Sequence, residues 1–128
     1  MSKPIQQTYE INGTPSQVFD ALTNPETFQK WSGAPAKIDD QVGTEFSIFG
    51  GNIVGKNLEV IPNQKLVQDW TAAEVEVSHS KVTFTLVPTG GSTNVELLHE
   101  GVPEAALETI SQGWNAHYLG KIQKMFTE

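Results

Sequence analysis

PEAALETISQGWNAHYLGKIQKMF, residues 103–126, is the stretch that decides the fold. Its apolar residues recur at intervals of three and four, which places them in one stripe along a helix. The stripe consists of Leu107, Ile110, Trp114, Tyr118, Ile122 and Met125. Pro103 suits the first turn of that helix, because the N–H that proline lacks would have no partner there. At ~1.5 Å of rise per residue the helix would be roughly 35 Å long, and we expect it to cover a sheet.

Two glycines, Gly113 and Gly120, interrupt this helix. Each costs about 1 kcal/mol relative to alanine inside a helix, so a compensating contact is expected. Because they are seven residues apart, they lie on the same face. We therefore expect another backbone or a bound molecule to approach closely along that face.

The residues before the long helix are mostly typical of β-strands. A first strand is expected at residues 4–11, and Thr14-Pro15-Ser16-Gln17 then predicts a helix that begins with a capping box. Asn24-Pro25-Glu26 repeats the signal, so two short helices should follow one another. From residue 34 to residue 100 the apolar period falls to two, with turns at Gly50-Gly51 and Gly90-Gly91. The sequence thus predicts an α+β fold, in which a curved antiparallel sheet of about six to seven strands is covered by two short helices and one long C-terminal helix.

Some strand positions stay ambiguous. Residues 36–40 are expected to form a strand, and Phe49 is expected to continue the strand that contains Phe46. Asn57 and Glu59 fall on one face of the next strand, so polar groups lie near the interior or the strand is bulged. Asp69 is expected to be solvated, opposite Trp70. Glu74 and Glu76 are expected in a solvated charge cluster near a loop.

The composition excludes several classes of function. All eight basic residues are lysine and the net charge is −7. Nucleic-acid binding is therefore not expected, because it needs a basic surface, and anionic membranes are disfavoured for the same reason. The chain has no cysteine and no apolar window of about 18 residues, and its first residues are not expected to act as a secretory signal. We expect one domain over residues 1–128, located in the cytoplasm and not inserted in a membrane.

Several short sequence segments, in their order and spacing, resemble a known superfamily. They are Pro15–Trp31, Ala34-Pro35-Ala36, residues 51–55, residues 60–62 with Leu66-Val67, Trp70, and Gln112-Gly113-Trp114 with Tyr118. Together they resemble the START-like (SRPBCC) superfamily. Within it the chain is most similar to the C-terminal domain of the activator of the ninety-kilodalton heat-shock chaperone ATPase, and to the single-domain bacterial relatives of that domain.

The resemblance implies the helix-grip fold, and it leaves the function open. Members of the superfamily include ligand carriers, cyclase-like enzymes and chaperone activators. The full activator also carries a separate N-terminal domain that makes much of the contact with the chaperone. The segments quoted above match its C-terminal domain only.

The sequence contains few motifs with a chemical role. It has no phosphate-binding glycine loop and no nucleophile elbow, and the spacing of His79, His99 and His117 is not that of metal ligands. We therefore expect no metal, no cofactor and no assigned catalytic residue. His99 shares a strand face with Val95 and Leu97, so it should face the interior if they do.

A cavity is expected between the concave sheet and the long helix. The candidate ligand-binding residues that would line it are Trp31, Phe46, Trp70, Phe84, His99, Ile110, Trp114 and Tyr118. The tryptophans could equally fill the core.

Three functions remain open at this point. The main interpretation is a non-enzymatic domain that binds a small apolar or aromatic ligand. The alternative is an accessory protein that binds a heat-shock chaperone and stimulates its ATPase. A cyclase- or hydrolase-like enzyme is the third, and its acid–base candidates are Glu59, Glu96 and His99.

Overall fold

The computed structural model describes residues 4–72 and 77–126, and six strands in these residues form one antiparallel sheet. The strands are β1 (Ile5–Ile11), β2 (Glu45–Ile48), β3 (Ile53–Ile61), β4 (Lys65–Ala72), β5 (Val77–Pro88) and β6 (Thr93–Glu100). Their order in the sheet is β1-β6-β5-β4-β3-β2. The first strand pairs with the last, with Ile5 opposite His99, while β2 lies at the other edge. The predicted α+β architecture is confirmed.

Two short helices, α1 (Pro15–Thr23) and α2 (Pro25–Ser32), follow β1. The capping box is present, because the Thr14 hydroxyl accepts from the Gln17 amide while the Gln17 side chain accepts from the Thr14 amide. Asn24 ends α1 and caps α2 with its side chain. This double signal makes a bent helical pair, as predicted.

The C-terminal helical segment, residues 104–125, is not the uniform helix that the sequence predicts. Pro103 precedes a 3₁₀ turn at Glu104–Ala106, and α3 begins only at Leu107. Helix α3 (Leu107–Gly113) passes into a π-helical turn, Trp114–Tyr118, before α4 (Leu119–Met125). The buried part of the predicted stripe is Trp114, Tyr118 and Ile122, whereas Leu107, Ile110 and Met125 are half-buried.

The two helical glycines have different surroundings. A Cβ atom on Gly120 would lie 1.8 Å from the carbonyl oxygen of Asn115, so the wide π turn depends on glycine at this position. A Cβ atom on Gly113 would meet no atom within 4 Å. The expected close approach therefore exists at Gly120 only, and the backbone that approaches belongs to the same helical segment.

This difference predicts opposite effects of alanine at the two positions. Gly120→Ala should lower the free energy of unfolding by about 2 kcal/mol, because the new methyl group displaces the Asn115 carbonyl. Gly113→Ala, its matched control, should raise it by roughly 0.5–1 kcal/mol through helix propensity. Urea unfolding followed by circular dichroism measures both. A stabilising Gly120→Ala would show that the π turn is absent.

Two predicted strand positions were wrong. Residues 36–40 are not a strand, and the segment makes one isolated bridge, Lys37 to Ser47, at the β2 edge. The Asp39 carbonyl in this segment and the Gln41 carbonyl just after it accept hydrogen bonds from the Asn57 side chain. Phe49 does not continue β2, because it has φ of 53° and begins a 3₁₀ turn, Phe49–Gly51.

Strand β3 contains a bulge that resolves its ambiguous polar pattern. The pairing with β4 shifts between Asn57 and Glu59. Asn57 is therefore buried while Glu59 is exposed.

Three further expectations concern charged residues and the membrane. Asp69 is partly exposed, and its carboxylate lies 3.1 Å from Nδ1 of the exposed His79. Glu74 and Glu76 lie outside the described residues. In the described part of the chain, no helix has the length and apolar character needed to cross a membrane.

Candidate functional site

An aromatic cluster fills the space between the sheet and the helices, with Tyr118 at its centre. Six other rings lie with their centroids between 4.7 and 5.9 Å from that of Tyr118. They belong to Phe28, Trp31, Phe49, Trp70, Phe84 and Trp114. The rings belong to α2, the 3₁₀ turn Phe49–Gly51, β4, β5 and the C-terminal helical segment. The cluster therefore packs the helical segment against both the sheet and α2.

The hydroxyl group of Tyr118 is buried, and it has no hydrogen-bond partner among the residues that the structure describes. Burial also raises the pKa of this phenol well above its ordinary value, so the group is neutral. An unpaired buried hydroxyl costs about 1–3 kcal/mol in desolvation. The fold therefore carries a polar group that destabilises it at the centre of its aromatic core.

Tyr118→Phe should consequently raise the free energy of unfolding by about 1 kcal/mol, since it removes the unpaired oxygen and keeps the ring. Tyr9→Phe is the matched control: the Tyr9 hydroxyl donates to Oε1 of Gln7, so its removal should cost about 1 kcal/mol. Urea unfolding of the two variants compares the signs. Equal losses in both would show that the Tyr118 hydroxyl is paired in solution.

A hydrogen-bond chain joins His99 to the helical segment. The Trp114 indole N–H donates to Nδ1 of His99 at 3.2 Å, which leaves the ring proton on Nε2. Nε2 then donates to Oγ of Ser80 at 2.8 Å, and this hydroxyl donates to the Trp70 carbonyl. Burial lowers the pKa of His99 to about 4, so the ring is neutral at pH 7. Both ring nitrogens are occupied, which gives His99 a structural role in this arrangement.

A second buried chain starts at Trp70, whose indole N–H donates to Oε1 of Gln68 at 2.8 Å. Gln68 donates to Oδ1 of Asn57 at 3.1 Å. Gln68 and Ser80 are not among the site residues predicted from the sequence. The signal that could have identified them is their position among the inward-facing residues of β4 and β5, because a polar residue at such a position needs a buried hydrogen-bond partner.

An apolar cleft of about 380 Å³ opens beside the aromatic cluster. It lies between the C-terminal helical segment and the strands β3 and β4. Its lining is Phe49, Asn52, Ile53, Trp70, Ala72, Thr109, Ile110, Gly113, Trp114, His117 and Tyr118. The cleft is open to solvent and walled mainly by aromatic and aliphatic side chains. The ligand cavity expected from the sequence stays a prediction.

Four of the eight predicted site residues line this cleft: Trp70, Ile110, Trp114 and Tyr118. The other four, Trp31, Phe46, Phe84 and His99, are buried outside it. Phe49 and Ile53 line the cleft and were not predicted as site residues. A ligand-binding role for the lining residues stays a prediction.

The four buried residues outside the cleft have core contacts of their own. The Trp31 indole donates to the Ala21 carbonyl at 2.8 Å. Phe46 lies over Gly55, where a Cβ would come within 2.8 Å of its ring. Phe84 packs edge-on against Trp114. Side-chain packing that the sequence does not show decides which aromatic residues reach the cleft.

The acid–base candidates are not brought together. Glu59 and Glu96 are exposed, and Glu59 pairs with Lys65 at 3.7 Å. His99 alone is interior, and among the described residues no group of three or more metal-ligating side chains is found.

Comparison with known proteins identifies the family. A family model described as activator of Hsp90 ATPase homolog 1-like protein matches residues 12–127. The chain belongs to this family. The resemblance stated from the sequence is thereby confirmed.

Members of this activator family are similar to the chain at modest identity. It is 27% identical over 128 residues to an activator of 90 kDa heat shock protein ATPase homolog from Dictyostelium discoideum, covering 98% of this chain and 33% of that protein. It is 30% identical over 111 residues to homolog 2 from Mus musculus, covering 86% and 34%. The chain spans about a third of the length of these relatives.

Solved structures match over nearly the full length of both chains. An HSP90 activator from Plasmodium falciparum has a TM-score of 0.89 at 27% identity, with 98% of this chain and 97% of that chain covered. A protein from Mesorhizobium loti has a TM-score of 0.83 at 25% identity, with the same coverage. The curved open sheet with its C-terminal helical segment is thus the shared fold.

Proposed function

We propose that this chain is an accessory domain that binds a heat-shock chaperone of the 90 kDa class and raises its ATPase activity. One observation carries the proposal: a solved chain described as an HSP90 activator is covered over 97% of its length by this fold. The solved chain of that activator thus has nearly the same length and the same fold as this chain. The family match over residues 12–127 supports the same function.

The charge of the chain suggests the character of its partner surface. With a net charge of −7 it should associate fastest with a basic surface on the chaperone. Such steering is screened by salt, so the association rate should fall as ionic strength rises. The apparent affinity should then decrease, although the fold itself is unchanged.

The test is a titration of the purified chain into a 90 kDa heat-shock chaperone while steady-state ATP hydrolysis is followed. The proposal expects hydrolysis to rise and saturate at micromolar chain, with a midpoint that shifts upward with salt. An unrelated acidic protein of similar size is the control for non-specific charge. Absence of both binding and stimulation at micromolar concentration would overturn the proposal.

A second candidate function is supported by the cleft. A volume of about 380 Å³ with mainly apolar lining suits a small apolar or aromatic ligand. Trp70 and Trp114 line the cleft, so a bound molecule should change their emission. The test adds a panel of lipids and aromatic compounds and records tryptophan emission and melting temperature. A panel that changes neither quantity would overturn ligand binding and leave the chaperone proposal untouched.

A further inference from the structure

We propose that the cleft takes a neutral aromatic ketone, whose carbonyl oxygen accepts a hydrogen bond from the Tyr118 hydroxyl after the Phe49 ring moves aside. This inference rests on the ligand-binding function proposed above and assigns the ligand class and the residue that selects it.

The unpaired hydroxyl supplies the first argument. Tyr118 is 3% exposed and lines the cleft, and its oxygen has no partner in the described structure. Burial raises its pKa, so the group is a proton donor over the whole physiological range. A ligand that brings a carbonyl oxygen to this position satisfies a donor that the protein leaves unpaired, and an apolar ligand does not.

The lining and the size of the cleft supply the second argument. Among the described lining residues, only Tyr118 and the exposed His117 have ionisable side chains, so an ionic ligand would lose hydration without finding a fixed counter-charge from them. Trp70 and Trp114, stacked with centroids 4.9 Å apart, form an aromatic wall. A cavity of about 150 Å³ can hold benzene, so about 380 Å³ is sufficient for a two-ring molecule.

Phe49 supplies the third argument, because the hydroxyl is covered and one ring must move to admit a ligand. Of the six rings around Tyr118, only that of Phe49 is half-buried, and the other five are buried. Phe49 has φ of 53°, a left-handed conformation that is strained for a bulky residue. It is followed by Gly50 and Gly51, both also with positive φ. A turn of this composition can release the ring at lower cost than any strand or helix in the cluster.

The experiment compares two probes of the same shape, 2-acetylnaphthalene and 2-isopropenylnaphthalene, which differ by a carbonyl oxygen in place of a methylene group. Binding to the wild-type chain and to Tyr118→Phe is measured by tryptophan quenching. The wild type should bind the ketone about tenfold tighter than the alkene, and Tyr118→Phe should reduce this ratio to about one. A ratio that is the same in both proteins would overturn the inference, while binding of the alkene would leave the ligand-binding function standing.

A second variant tests the movement of the ring. Phe49→Ala removes the cover, so both probes should bind more tightly than to the wild type while the ketone keeps its advantage. Weaker binding of both probes to Phe49→Ala would overturn the role given to Phe49, because it would show that its ring stacks on the ligand. Failure of the ketone to bind the wild type would overturn this inference, whereas the ligand-binding function itself is tested by the panel of lipids and aromatic compounds described above.

Discussion

Trp114→Ala should lower the free energy of unfolding by about 4 kcal/mol. The Trp114 side chain is 2% exposed, and it stacks on Trp70 and meets the edge of the Phe84 ring. Its removal leaves a large cavity between the helical segment and the sheet. The substitution also leaves Nδ1 of His99 without its donor. Urea unfolding followed by circular dichroism measures the loss.

Trp114→Phe is the matched control for this prediction. Phenylalanine keeps an aromatic ring in the cluster but lacks the indole N–H, so the loss should be smaller, about 2 kcal/mol. A Trp114→Ala chain that loses less than about 1 kcal/mol would mean that the helical segment is not held on the sheet by this side chain.

Acid should weaken the fold through His99. Its pKa is about 4 in the folded chain and about 6.5 when unfolded, so between these values the unfolded chain binds a proton that the folded chain excludes. The contribution of His99 to the free energy of unfolding is therefore fully present above pH 6.5. It decreases as the pH falls toward 4, by about 3 kcal/mol in total. Protonation of Nδ1 would also set two donors against each other, because Trp114 already donates to this atom.

His99→Gln separates this effect from the titration of carboxylates in the same range. Glutamine does not titrate, so the variant is expected to be less stable at pH 7 but to lose less stability than the wild type as the pH falls to 4. Urea unfolding at a series of pH values gives both curves. Parallel curves for the two proteins would contradict a lowered pKa at His99.

Local signals explain why much of the fold follows from the sequence. The capping box at Thr14 and the paired cap at Asn24 specify helix starts through contacts within four residues. Apolar and polar residues alternate along β5 and β6, which predicts that each strand has one buried face. This prediction does not require the identity of the partner strand. The helical spacing of Trp114, Tyr118 and Ile122 likewise predicts that these side chains are buried, and they are.

Features that depend on contacts between distant segments were not predictable in the same way. The π turn exists because Gly120 meets Asn115 one wide turn earlier, and a helical period of 3.6 does not reveal it. The bulge in β3 was one of two alternatives until the register with β4 was known. Phe49 carries an apolar side chain in a strand-like context, yet its positive φ turns it toward the aromatic cluster.

The candidate site likewise has features that the local sequence predicts and features that depend on packing between distant segments. The sequence offers Trp70, Ile110, Trp114 and Tyr118 as site candidates, and these four side chains lie at the cleft because the helix stripe and the strand alternation both face the interior. The sequence cannot separate them from Phe84, which alternates equally well but is fully buried in the core. Cleft membership depends on where packing leaves a gap, and such gaps arise from side-chain volumes across four or more elements.

The hydrogen exchange of the Trp114 indole N–H is the most direct test of the central claim, which is that the C-terminal helical segment packs its aromatic edge against the concave sheet. This proton donates to the buried His99 ring, whereas those of Trp31 and Trp70 bond to other interior acceptors. Nuclear magnetic resonance resolves the three indole signals individually. The structure predicts that the Trp114 proton exchanges roughly a thousandfold more slowly than that of free indole. Exchange at the rate of free indole would contradict the packing of the segment on the sheet.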